Sequence, residues 1–130
     1  MVARAGLTAL PVLITAACGS SPLSAADLRQ RANSICSRAD RQIGAIASPA
    51  SQAAGKIFLQ QGVAALDPEL PELKQLTPPS DEAVVYQSAL SALAGELDAL
   101  HSAVSGLNQG ADPVKTFRAL QDKLGPLETQ

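Results

Sequence analysis

Two cysteines, one histidine and twelve carboxylates are the side chains here with the means to do chemistry, and their spacing allows little. His101 is the lone histidine, so a zinc site would need cysteine or carboxylate partners, and neither H-x-x-x-H nor C-x-x-C occurs. Haem attachment would need C-x-x-C-H or a His and Met pair. The sole methionine is Met1, at the head of a segment read below as an export signal. G-x-S-x-G, P-loop and G-x-G-x-x-G patterns are missing too. Glu96 and Asp98, two apart, cannot share a helix face, whereas Glu69 and Glu72, three apart, can. Two neighbouring glutamates without further acids facing them read as a solvated face. No catalytic residue, metal site or cofactor is assigned, and the chain is expected not to be an enzyme. Cys36 remains, beside Ile35 in ANSICSRADRQI. A buried free cysteine serves as a small apolar filler.

The scaffold for these residues reads as helical. Hydrophobic residues make up 46% of the chain and aromatics 2%, which calls for a core of Ala and Leu rather than the alternating β-branched and aromatic pattern of a sheet. The central stretch, Ser80 to Gly110, places Tyr86, Leu90, Leu93, Leu97, Leu100, Val104 and Leu107 at steps of four and three, a heptad seam. Gln87, Ser91, Asp98, Ser102 and Ser105 take the opposite side. Ser80, Asp81 and Glu82 form its expected start, and Gly106, Asn108 and Gly110 its left-handed exit. A seam about 40 Å long at about 1.5 Å per residue needs partner helices to cover it.

Three further segments provide them. Ser24 caps a helix with stripe Leu28, Ala32, Ile35, Ala39, Ile43 and Ile46, ending at Ser48-Pro49. Its Arg29, Arg31, Arg38 and Arg41 form a solvated face or pair with acidic neighbours; contact with anionic headgroups is the alternative. The second helix relies on Ile57, Phe58, Leu66, Leu70, Leu73 and Leu76, weakened by Gly55 and Gly62. Asp67-Pro68 reads as a fresh cap-then-Pro start, so a kink or short break belongs near residue 67, with Pro71 removing another donor. Asp112-Pro113 opens the last helix, with Val114, Phe117, Leu120, Leu124 and Leu127 as its stripe and Gly125-Pro126 disturbing its end. The expected fold is all-α, an up-down four-helix bundle with helices over about 24–47, 51–76, 80–107 and 112–127.

The N-terminus reads as a signal for export. Arg4 is the positive region and Leu7 to Ala17 an apolar run of eleven residues, too short for a bilayer core that takes about 20. Ile14 to Ser21, ITAACGSS, resembles a bacterial lipobox, although Thr15 stands where that pattern prefers Leu, Val or Ile. The resemblance implies cleavage before Cys18 and acylation of its sulfur, with residues 1–17 as signal, 18–23 as tether and 24–130 as the helical domain. Ordinary cleavage near Ala17, with Cys18 incidental, is the alternative; a cytosolic protein with a chance apolar start is a third reading.

The run Arg31-Ala32-Asn33-Ser34-Ile35-Cys36, the Leu-x-Pro-Pro at Leu76 to Pro79 and the closing Leu124-Gly125-Pro126-Leu127 resemble a family of small helical actinobacterial lipoproteins of unassigned function. The resemblance covers Leu28 to Gln130 and implies a cysteine near the C-terminus that pairs with one like Cys36. This chain has no cysteine after Cys36, so Cys36 is expected to be a free thiol here, with the natural product running on past Gln130 to a partner. A net charge of −2 without a basic, aromatic-interleaved cluster speaks against nucleic acid. The expected function is a membrane protein anchored by lipid on Cys18 at the outer face of the cell membrane, binding or scaffolding an unknown protein without catalysis. A carrier holding a small apolar ligand inside the bundle is the alternative, and an enzyme using carboxylates not grouped by the sequence is a third.

Overall fold

The computed structural model describes residues 21–126, and among them every regular element is a helix. The first, α1 (Ala25–Gly44), is capped by Ser24, whose Oγ accepts from the Asp27 amide at 3.1 Å and donates to its carboxylate at 2.7 Å. It stops three residues short of the expected 47, because Ala45 and Ile46 turn back onto Arg41 and Ile43 ahead of Pro49. Leu28 and Ala39 are its buried residues, with the other stripe positions half-buried.

The second helix divides into α2 (Gln52–Leu66) and α3 (Glu69–Lys74). Pro68 and Pro71 have no N–H to offer the carbonyls four residues back, so the ladder is interrupted there. Asp67 (φ −51, ψ −39) and Pro68 (φ −72, ψ −19) keep helical dihedrals, which makes the break a short one. Asp67 therefore lacks the extended backbone of an N-cap, and α3 starts without a side-chain cap, contrary to the cap-then-Pro reading. Leu59 and Val63 are buried, whereas Ile57, expected in the core, is 57% exposed. The inward row runs Gly55, Leu59, Val63, Leu66, Leu70, Leu73, and Ile57 lies off it.

The seam helix is α4 (Ala83–Asn108). It starts three residues later than expected, because the Glu82 amide bonds the Pro79 carbonyl at 3.1 Å, so Ser80 and Asp81 belong to the entering turn. Leu90, Leu97 and Leu107 are buried, and Tyr86, Leu93, Leu100 and Val104 half-buried. At its end Gly110 takes φ +88, Ala111 donates to the Gly106 carbonyl and Gly110 to that of Leu107. That is a Schellman ending, for which glycine is the residue free of steric cost. The last helix, α5 (Pro113–Leu124), follows Asp112, whose carboxylate accepts from the Lys115 amide at 2.9 Å. Val114 lies 50% exposed rather than in the stripe, and Leu127 falls outside the described residues.

Packing joins α1 to α2 and α3, those two to α4, and α4 to α5. Gln60 bonds Asn108, Asp67 meets His101 and Tyr86 reaches Leu73, so α2–α3 and α4 run in opposite senses. Leu23 donates to Thr77 at 2.8 Å, which holds the start of α1 on the turn before α4. One core cluster gathers Leu59, Ala99, Ala103, Leu107 and Leu120, with Leu100, Val104, Phe117 and Leu124 against it.

Candidate functional site

The half of the fold nearer the start of α4 is held by polar groups as well as by aliphatic ones. Glu69, on the first turn of α3, is 8% exposed, the one charged residue buried among those described. It faces α1, where the Cys36 thiol hydrogen-bonds to it. The expectation of a solvated Glu69–Glu72 face therefore fails for Glu69. The break at Asp67–Pro68 resets the helix, and Glu69 turns inward beside Cys36. Glu72 meets it in part, pairing at the surface with Arg38 of α1. Tyr86, at the head of α4, donates its hydroxyl to the Leu73 carbonyl at 2.7 Å. Three elements thus meet through Cys36, Glu69 and Tyr86, and among the described residues no buried side-chain nitrogen or oxygen lacks a partner.

This environment sets the chemistry of the thiol. Burial, then the hydrogen bond to Glu69 and the negative charges of Glu69 and Asp40, push Cys36 up to about 11 from 9.0. Burial, and secondarily the neighbouring Cys36, raises the Tyr86 phenol as well. Both shifts hold protons on at neutral pH. A nucleophilic or metal-binding cysteine needs the opposite shift, towards thiolate. Cys36 is a half-buried free thiol in the structure. Cys18, the candidate lipidation residue, lies outside the described residues, as do residues 1–17.

His101 lies away from that cluster. Its Nε2 is 2.7 Å from Asp67 Oδ1, a geometry in which the ring N–H donates to the carboxylate across the α2–α3 break. Both partners are about half exposed, at 53% and 47%. No group of three His, Cys, Asp or Glu residues able to hold a metal occurs among the described residues. Of the arginines on α1, Arg29 pairs with Glu82 at 3.2 Å and Arg38 with Glu72, in keeping with acidic neighbours as their partners.

A recess of about 190 Å³ opens to the surface between α4 and α5, lined by Ala99, Ala103, Gly106 and Leu120, with Thr116 and Lys123. No helix among the described residues is long and apolar enough to cross a membrane. Scans of the chain against known family models, curated proteins and solved structures return no match.

The sequence reading missed two associations, Glu69 with Cys36 and Asp67 with His101. Cys36 and Glu69 are 33 positions apart, and no local period links them. The one available signal was Pro68, which fixes where the second helix restarts and hence which way Glu69 faces.

Proposed function

We propose that this is a lipid-anchored, extracytoplasmic envelope protein whose helical domain binds or scaffolds a partner without catalysing a reaction. The observation that carries the reading is the N-terminal pattern. A positive residue, an eleven-residue apolar run and small residues precede Cys18, and Ser24 caps the first helix six positions later. Membership of the actinobacterial lipoprotein family belongs to the same proposal, resting on the Arg31–Cys36 run and the Leu76–Pro79 segment. An up-down-up-down four-helix bundle, with α2 and α3 as one broken helix, is supported by the opposed order of the paired residues.

A binding role is favoured by the state of the polar cluster. Its thiol is held protonated, its carboxylate is buried against that thiol, and its phenol is engaged by a backbone carbonyl. These groups fasten helices together. The alternative, a carrier of a small apolar ligand, would use the recess between α4 and α5. Larger recesses open to the surface elsewhere, up to about 550 Å³ between the end of α1 and α2, so size alone does not decide against a carrier.

The deciding experiment labels cells with a fatty-acid analogue. The wild-type chain is expected to incorporate label and to enter the detergent phase, and Cys18→Ser to do neither. Equal incorporation in Cys18→Ser would remove the anchor from the proposal.

A further inference from the structure

Among the described residues four large aliphatic side chains are conspicuously exposed, and they divide between the two ends of the described fold. Val84 (83%) and Val85 (73%) occupy the first turn of α4, while Ile57 and Val114 lie near the opposite end, where Gln60 bonds Asn108 and Gly55 packs on Phe117. At about 1.5 Å per residue, the 26 residues of α4 set these ends nearly 40 Å apart. Leu23 is fastened to Thr77, so the chain leading back to Cys18 leaves from the valine end. Leu23 is five residue steps on from Cys18, and even fully extended, at about 3.6 Å each, these reach about 18 Å. Helical Cβ atoms tilt towards the helix N-terminus, which aims both valines out of that same end.

We propose that Val84 and Val85 enter the interfacial zone of the bilayer that carries the anchor, so that the domain stands on the membrane at the start of α4. The inference rests on the acylation of Cys18. With that anchor in place, the short tether leaves the valine end the only one of the two that can reach lipid. Two valines would bind a vesicle weakly on their own, and tethering supplies the high local concentration that makes a weak contact persist. Charge contributes little at this end. Glu82 is paired with Arg29, and the exposed Asp27 and Asp81 are offset by the exposed Arg31 and Lys74. The contact is therefore apolar, and a zwitterionic surface suffices for it.

The test uses the full, acylated protein in phosphatidylcholine vesicles containing nitroxide-labelled lipid. Val85→Cys and Val114→Cys, each made in a chain that also carries Cys36→Ala, are tagged with a fluorophore. Quenching is expected to be at least about threefold stronger at position 85 than at 114. Equal quenching at the two positions, with Cys18 shown by mass spectrometry to be acylated, overturns this inference and leaves the anchor standing. Absence of the acyl group overturns both. Energy transfer between donor- and acceptor-tagged Val85→Cys molecules without lipid quenching would assign the valines to a second copy of the chain and overturn the lipid contact.

Discussion

At the scale of single residues, the informative group is the Cys36 thiol. Its ordinary value of 9.0 rises to about 11 in the folded protein, first through burial and then through Glu69 and Asp40. The folded state therefore keeps its proton at pH values where the unfolded chain has released it. Its contribution to stability is complete below pH 9 and drains away as pH rises towards 11. Tyr86 is raised too, so it acts in the same sense above its ordinary 10.0. Denaturation midpoints measured from pH 8 to 11 are expected to fall more steeply for the wild type than for Cys36→Ala; parallel curves would refute the assignment. Glu69→Gln removes a charge and leaves the burial, so the thiolate absorbance of that variant should appear at a pH between 9 and 11. A midpoint unchanged by the substitution would mean that Glu69 does not act on the thiol.

At the scale of elements, the sequence was most legible where large aliphatic residues recur at steps of three and four. Leu28, Leu73, Leu90, Leu97, Leu107 and Leu120 are buried as that period requires. Leu97→Ala should accordingly cost about 2–5 kcal/mol by chemical denaturation, and Ser91→Ala, at an exposed position, less than about 0.5. A Leu97→Ala protein as stable as its parent would show the seam to be misplaced. Small residues were the illegible part. Ala99 and Ala103 are buried because α5 packs closely over them, and a methyl group gives no periodic signal strong enough to reveal that. Gly55 read as a weakness, yet it is buried, with the Phe117 ring over it. A Cβ built there would meet that ring at 3.5 Å, an ordinary contact. At Gly62 nothing lies within 4 Å, so Gly62→Ala should stabilise the protein by up to about 1 kcal/mol, through helix propensity alone. A loss of stability there would place a neighbour where the structure has space. The Cys36–Glu69 contact was beyond reach for another reason: which way Glu69 faces depends on how far a proline break rotates α3, and periodicity does not encode that.

At the scale of the whole molecule, cohesion is unevenly shared. The cluster around Leu59, Ala99, Ala103, Leu107 and Leu120 holds α2, α4 and α5 together towards the end where α4 finishes. Towards the other end, α1, α3 and α4 meet through the Cys36, Glu69 and Tyr86 contacts and the Arg29–Glu82 pair. Helix α5 takes no part in that second set, and its principal partner is α4. Twelve residues are too few to stay helical alone in water, so α5 owes its order to this one apolar seat. Phe117 is the widest side chain in the seat, lying on Gly55 and against the cluster. Phe117→Ala should therefore cost about 3–5 kcal/mol and release α5 before the remaining helices. Amide hydrogen exchange is the measurement that separates these effects. The amides of α5 are expected to lose protection together in Phe117→Ala, while those of α1 and of the first half of α4, fastened by the second set of contacts, keep most of theirs. Uniform loss along the whole chain would show instead that the two halves unfold as one cooperative unit, and that the polar contacts around Glu69 cannot hold α1, α3 and α4 together without the seat of α5.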